Sequence, residues 1–469
     1  MPQRLRALSG LDAAFLYLEA AGTPMHVGSL MRLERPRGRR DFRRSLIAHL
    51  AERLPRAGAL RRTLEPAPLD LGHPLWREGS EIDLDEHVIA RKLRAPGGDK
   101  QLFDLVAQLH AEPLPRDRPL WQFCVIEGLA DGSIALHTKV HHALLDGQGG
   151  IALAQALLDL APGAAAPRVR SQVASEHDSR LRRRDVAGLA ARSTLNAFAR
   201  LVRAVPATVK LARNAAAGAR SLAASVRDGV LFAPRTPFNA QVGPRRSFAT
   251  ASLAMSEVKA LAKRAEASLN DVVLAICSGA LRELLLRRDE LPREPLVAAM
   301  PVSLRASGDT SSNNQVSMTQ CPLATDVADP RERLAAIRAA TAQIKQRVST
   351  FRDMIPQDFP GLAAPIWASG LSRLWARGRV AERLPPLGNL VVSNVPGPPV
   401  PLYIAGARIL HNHPVSIVTH GLALNITLNG YAEWLELGVI ACRDALPDAR
   451  PLARGIERAY QELLEAFPA

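Results

Sequence analysis

The sequence predicts an α/β protein built as two domains. Three observations carry that reading. Its 469 residues exceed the roughly 250–300 that one hydrophobic core usually serves. Apolar residues recur with period two in some stretches, as in Ile134–Val140, and at helical spacing in others, as in Phe42–Leu54 and Val272–Leu285. The composition, 47% hydrophobic and 22% charged, is that of an ordinary globular chain.

Taken in order, Leu8–Phe15 opens the chain as a short helix and Pro24–Gly28 follows as a strand. Asp12 reads as a first-turn acid, and His26 as a satisfied core histidine. Phe42–Leu54 reads as an amphipathic helix and Leu102–His110 as part of another, with Pro113, Pro115 and Pro119 breaking the pattern before Trp121. Strand Gln122–Gly128, turn Asp131-Gly132 and strand Ser133–Val140 then form a hairpin. The first domain runs from residue 1 to 160.

That hairpin delivers His141-His142-Ala143-Leu144-Leu145-Asp146-Gly147. Alternation puts Ile134, Leu136, Thr138, Val140 and, if the strand continues, His142 on one face. Ala135, His137, Lys139 and His141 fall on the other, so the two histidines should not share a role. An imidazole at a strand end with a carboxylate four residues on has the parts of an oriented base. An ordinary core or surface role is the competing reading.

Residues 161–235 differ in kind. Between Arg168 and Asp228 there are 13 Arg or Lys against 4 acids, within a chain of net charge +15. Leu195, Phe198, Val202, Val205 and Val209 fall at helical spacing, with Arg192, Arg200, Arg203 and Lys210 off that stripe. Such a basic helical linker fits an interfacial helix on anionic lipid, and equally a solvated interdomain helix. Nucleic acid is not expected, because no aromatic-plus-basic platform accompanies the charge.

The second domain runs from 236 to 469. Ser268 and Asp271 have capping-box spacing ahead of the helix Val272–Leu285, which accounts for Asp271. Asn270 is not explained by the cap. Its amide can present a donor beside a helix N-terminus, a candidate oxyanion group. Asn389–Val395 reads as a β-run stopped by Pro396-Gly397-Pro398. Gly421–Ile426 and Gly438–Asp444 read as antiparallel strands, and Gly455–Phe467 closes the chain as a helix.

These stretches, in this order, resemble the bacterial wax ester synthase/acyl-CoA:diacylglycerol acyltransferase family of the CoA-dependent acyltransferase superfamily. The residues that carry the resemblance are the His-His-x-x-x-Asp-Gly run at 141–147, Leu8-Ser9-x-x-Asp12, Met25-His26-x-Gly28, Pro119-Leu120-Trp121, Asn270-Asp271, Pro301-Val302-Ser303-x-Arg305 and Ser393–Pro398. The resemblance covers nearly the whole chain except the basic linker. It implies a two-domain chloramphenicol-acetyltransferase-like fold with a tunnel between the domains. It also implies transfer of a fatty acyl group from acyl-CoA to diacylglycerol or a long-chain alcohol, with His142 as general base. Asn270 would face the oxyanion, and Asp146 would be held by Arg305 as a loop anchor. Gly147 would leave room at the tunnel, Trp121 would line it, and His141 would support packing.

Other expectations are negative or spatial. Acyl-CoA enters as co-substrate, with no cofactor. No metal site is expected: CxxC and HExxH are absent, and His411, His413 and His420 form the one other cluster to consider. Four scattered cysteines argue for a reducing compartment. The start has no apolar core of signal-peptide length. The uncharged run Leu384–Ala407 holds six prolines and cannot be a spanning helix. A cytoplasmic protein, peripheral on the inner membrane or lipid droplets through its linker, is expected. A carrier-protein-dependent condensation-type transferase and a non-catalytic lipid-surface protein are the alternatives.

Overall fold

The computed structural model describes residues 4–8, 10–20, 22–36, 38, 41–65, 73–144, 149–163, 231–303, 316–351 and 385–468. Its strands are β1 (Arg4–Ala7), β2 (His26–Leu33), β3 (Thr63–Glu65), β4 (Leu75–Glu78), β5 (Val88–Lys92), β6 (Trp121–Glu127), β7 (Ile134–His141), β8 (Arg246–Ala254), β9 (Val297–Ser303), β10 (Val316–Pro322), β11 (Leu390–Val395), β12 (Tyr403–Ile404), β13 (Ala407–Val415), β14 (Leu424–Tyr431) and β15 (Trp434–Cys442). The helices are α1 (Gly10–Leu18), α2 (Phe42–Arg53), α3 (Leu84–His87), α4 (Asp99–Ala111), α5 (Gly149–Leu157), α6 (Met255–Arg264), α7 (Leu269–Leu286), α8 (Pro330–Phe351) and α9 (Arg450–Ala466). The linker expected to carry the basic amphipathic helix falls, from 164 to 230, outside the described residues.

Two six-stranded sheets dominate, in the orders β12-β13-β2-β7-β6-β5 and β10-β9-β11-β14-β15-β8, beside a small sheet β1-β4-β3. The predicted hairpin is there: β6 and β7 pair antiparallel, Trp121 opposite Val140. Its turn is held by Asp131, whose Oδ1 accepts from Ser133 N at 3.0 Å and from Ser133 Oγ at 2.6 Å. The capping box also forms, with Asp271 N donating to Ser268 Oγ at 3.2 Å and Ser268 N donating to Asp271 Oδ2 at 2.9 Å.

One feature departs from a clean division at 160 and 236. Strands β12 and β13 come from the C-terminal half but complete the first sheet, β13 lying antiparallel to β2 with His413 opposite Leu30. The halves also share a core. Helix α4 puts Leu102, Phe103 and Val106 into one apolar cluster with Phe248, Val439 and Leu452, Phe103 and Phe248 meeting edge to face at 5.8 Å. The other face of the first sheet packs separately, Leu136, Val140 and Phe123 against Phe42, Leu46 and Leu50 of α2. β7 is therefore buried on both faces along its whole length, and alternation along it separates two interiors rather than inside from outside.

No helix among the described residues is long and apolar enough to cross a membrane. All four cysteines are free and buried.

Candidate active site

β7 ends at His141, and His142 opens a short 3-10 turn, His142–Leu144. The β2–β7 ladder carries one residue further, His142 N–H donating to Met25 O opposite it at 2.8 Å, while His141 N donates to Leu120 O at 2.9 Å; the chain then bends into the turn. The His142 ring stacks on Phe15 of α1, centroids 3.9 Å apart and planes 19° apart. Its Nδ1 is buried and has no hydrogen-bond partner among the described residues. Burial, with a smaller push from His141, lowers the ring's pKa to about 4. At neutral pH it is the free imidazole, able to accept a proton.

His141 is wholly buried and differently engaged. Its Nδ1 accepts from Ala143 N at 3.1 Å, so the ring proton belongs on Nε2. That atom lies 3.4 Å from Glu19 Oε1. Glu19 also accepts from Met25 N at 3.1 Å through Oε1 and from Arg116 at 2.8 Å through Oε2. Burial works against its ionisation, but His141, Arg116 and the Met25 N–H outweigh it and lower the carboxyl to about 2. The two rings have separate surroundings, as alternation implied: His141 accepts from Ala143 N beside the Glu19 carboxylate, and His142 is neutral beside an aromatic face.

Behind His141 the same face of β7 continues as a dense polar layer. Lys139, 2% exposed, donates from Nζ to Leu109 O and Glu112 O at 2.8 Å each. It thus caps the C-terminal carbonyls of α4, where positive charge is favoured. Burial pulls its pKa down to about 8. The His26 ring meets the His110 carbonyl at 2.5 Å, and His110 Nε2 meets the Ser416 carbonyl at 3.1 Å. His26 is the core histidine the sequence implied. Met-His-x-Gly also has a steric reason: a Cβ on Gly28 would lie 1.7 Å from the Thr138 carbonyl oxygen of the paired strand β7.

The remaining sequence candidates scatter. Trp121 is 1% exposed, donates from Nε1 to Leu60 O at 2.9 Å and stacks on His87 at 4.3 Å. Those are the contacts of a core side chain. Asn270 lies in the first turn of α7, half-buried, and no hydrogen bond or ion pair among the described residues joins it to His142. Its neighbour Asp271 is spent on the cap and on Thr341, whose Oγ1 donates to it at 2.7 Å. Asp146, Gly147 and Arg305 lie outside the described residues.

Two clefts, of about 520 and 470 Å³, line other parts of the molecule, the first around Arg61, Arg77 and Glu81, the second around His411, His413 and Arg454. Neither includes His142, and residues 145–148 beside it are outside the described set, so the expected tunnel is not delineated there. Sequence reasoning missed Phe15, Glu19 and Arg116. Only Glu19 left a signal, as an acid just past the opening helix that no periodicity explained. His411 and His413 gather with Glu436, while His420 goes elsewhere, its Nδ1 accepting from Val242 N at 3.0 Å.

The sequence model of the wax ester synthase/diacylglycerol acyltransferase catalytic domain matches residues 8–273, and that of the family's C-terminal domain matches 312–464. A Mycobacterium tuberculosis protein assigned by name as a diacylglycerol O-acyltransferase is 37% identical over 98% of this chain and 99% of its own. A second from the same organism, carrying the same kind of assignment, is 35% identical over 97% and 98%. Among solved structures, the wax ester synthase/diacylglycerol acyltransferase of Marinobacter aquaeolei VT8 aligns with a TM-score of 0.70 at 29% identity, over 98% of this chain and 99% of that one. A condensation domain of the calcium-dependent antibiotic synthetase shares the fold, with a TM-score of 0.52 at 16% identity over 98% and 96%. With residues 8–273 and 312–464 matched by the two family domains in order, the chain belongs to the wax ester synthase/diacylglycerol acyltransferase family.

Proposed function

We propose that this protein transfers a fatty acyl group from acyl-CoA to the hydroxyl of a diacylglycerol or a long-chain alcohol, with His142 as the general base. The observation that carries the assignment is the state of His142: a half-buried ring held neutral at a strand end, stacked on Phe15, with Nδ1 out of water and free of hydrogen-bond partners among the described residues. A ring held neutral accepts the acceptor's hydroxyl proton as the alkoxide oxygen attacks the thioester carbonyl. Collapse of the tetrahedral intermediate breaks the carbon–sulfur bond, and the proton passes from His142 to the departing CoA thiolate. Proximity of two bound substrates suffices, so no acyl-enzyme forms.

In this reading Asn270 donates to the oxyanion. Asp146 holds the loop through Arg305, and Gly147 leaves room beside the ring. His141, fixed by Glu19 and Ala143, sets the direction in which the next residue leaves the strand. The basic segment 161–235 is the part that supports peripheral binding at an anionic membrane or lipid-droplet surface, where both acceptors reside.

The test is release of free CoA from palmitoyl-CoA with hexadecanol, dioleoylglycerol or no acceptor. His142→Ala should lose about 10²–10⁴ in acceptor-dependent rate. His141→Ala should keep a substantial fraction of the rate while losing stability. Equal rate losses in both would remove the base assignment, and no release with either acceptor would favour a carrier-protein-dependent transferase.

A further inference from the structure

A second group of chemistry-bearing side chains lies where the two large sheets approach each other. His411 and His413 alternate on β13, so their rings share one face of the strand, nearly parallel at 7° with centroids 5.8 Å apart. Glu436 reaches them from β15, in the other sheet. Close approach of these strands depends on Gly438, where a Cβ would lie 1.7 Å from the Pro414 carbonyl oxygen. Glu436 Oε1 lies 2.8 Å from His411 Nδ1 and Oε2 lies 3.1 Å from His413 Nδ1. Ser252 Oγ donates to Oε2 at 2.6 Å.

Two features of this group call for a cation. The Glu436 side chain has 0% exposure, and its ion-pair partners among the described residues are the two histidines, with no Lys or Arg. A carboxylate taken fully out of water needs positive charge beside it. Further, His413 Nδ1 is buried with no hydrogen-bond partner among the described residues, although a carboxylate oxygen is 3.1 Å away. The ring presents that nitrogen to the carboxylate without the alignment of a hydrogen bond.

We propose that His411, His413 and Glu436 form a binding site for a divalent transition-metal ion, zinc being the ion that two imidazoles and one carboxylate suit best. The three donor atoms lie within 4.8 Å of one another. Donors around a tetrahedral zinc are about 3.4 Å apart, so the widest pair closes by roughly 1 Å on binding. The cleft of about 470 Å³ lined by His411, His413 and Ser252 gives the ion a route from solvent. Three protein ligands leave a coordination position for water or a small anion. In the sheet register His26 pairs with His141, while Leu30 and Arg32, four and six residues along β2, pair with His413 and His411. At about 3.3 Å per residue the site is roughly 13–20 Å from the reaction centre. It acts as a clip between sheets, independent of acyl transfer.

The experiment is zinc titration of the full chain after EDTA stripping, with a competing chromophoric chelator and a parallel thermal melt. Wild type should take up one zinc per chain with micromolar or tighter Kd, and its Tm should rise by at least about 2 °C at saturation. His411→Gln, at a side chain 30% exposed and so safe for folding, should weaken uptake at least about tenfold, and Glu436→Gln likewise. His73→Gln, a control away from the cluster, should bind as wild type does. Uptake well below one equivalent by wild type overturns the site, and so does affinity unchanged in folded His411→Gln.

Discussion

The pair of adjacent histidines shows how a one-residue step separates two chemistries. His142 has its pKa pushed from 6.5 to about 4 by burial, so its neutral ring persists across the neutral range and is lost only as pH falls through about 4. The expected pH profile of kcat/KM is therefore flat from pH 8 to about 5.5 on the acid side; a midpoint near 6.5 would mean that the ring is solvated in the working enzyme. Glu19 acts in the opposite sense on stability. Its carboxyl is near 2 folded and 4.5 unfolded, so its contribution is complete above pH 4.5 and disappears as pH falls from there to 2. The shift corresponds to about 3 kcal/mol. Glu19→Gln should flatten that part of an acid-unfolding curve by a comparable amount, and an unchanged curve would show that the His141 and Arg116 contacts do not hold in solution. That the two rings face different surroundings was legible from alternation along Ile134–Val140. The partners were not, because Glu19 and Arg116 lie 122 and 25 residues from His141 and no local pattern links them.

At the level of elements, most helices and strands that the periodicity defined are present: α2 where Phe42–Leu54 was read, α4 enclosing Leu102–His110, the β6–β7 hairpin, α7 behind its capping box, and α9. What periodicity could not supply was pairing. Nothing in 403–415 announces that its neighbour is β2 rather than β14, since the choice is made by packing across the whole molecule. The Lys139 cap of α4 belongs here too, a tertiary substitute for a local helix stop. Lys139→Met should leave the Leu109 and Glu112 carbonyls without their donor and lower stability by about 1–3 kcal/mol in denaturant titration. A change under a few tenths would mean that water replaces the ammonium. Asn389 has a similar burden between elements: Oδ1 accepts from Val297 N at 2.8 Å and Nδ2 donates to Pro234 O at 2.6 Å and Asn239 Oδ1 at 2.9 Å. Asn389→Leu should cost at least about 2 kcal/mol, read as a fall in the denaturation midpoint.

For the whole molecule, composition and motif order indicated the α/β class and the family, and the paired family domains bear both out. The boundary between domains was less legible, because the first sheet borrows β12 and β13 and one apolar cluster takes residues from both halves. A fragment of residues 1–160 should accordingly be unfolded or aggregated by circular dichroism and size exclusion; a monomeric, cooperatively melting fragment would show that β13 is dispensable. The excess positive charge sits mainly in 168–228, so full-length protein should float with anionic vesicles and detach as salt is raised toward about 0.5 M, where screening shortens to a few ångströms. Salt-resistant flotation would assign the contact to apolar insertion instead.

The borrowed strand also sets a timetable for synthesis. β2 and β7 leave the ribosome early, but β13, the partner of β2 on its other side, is made only when residues 407–415 are translated. At about 5–20 residues per second the nascent chain carries a bare β2 edge for tens of seconds. During that interval the edge can pair with another copy, as unprotected strands do. Yield in a cell should therefore respond to chaperone supply and translation speed more than to any single contact in the finished fold.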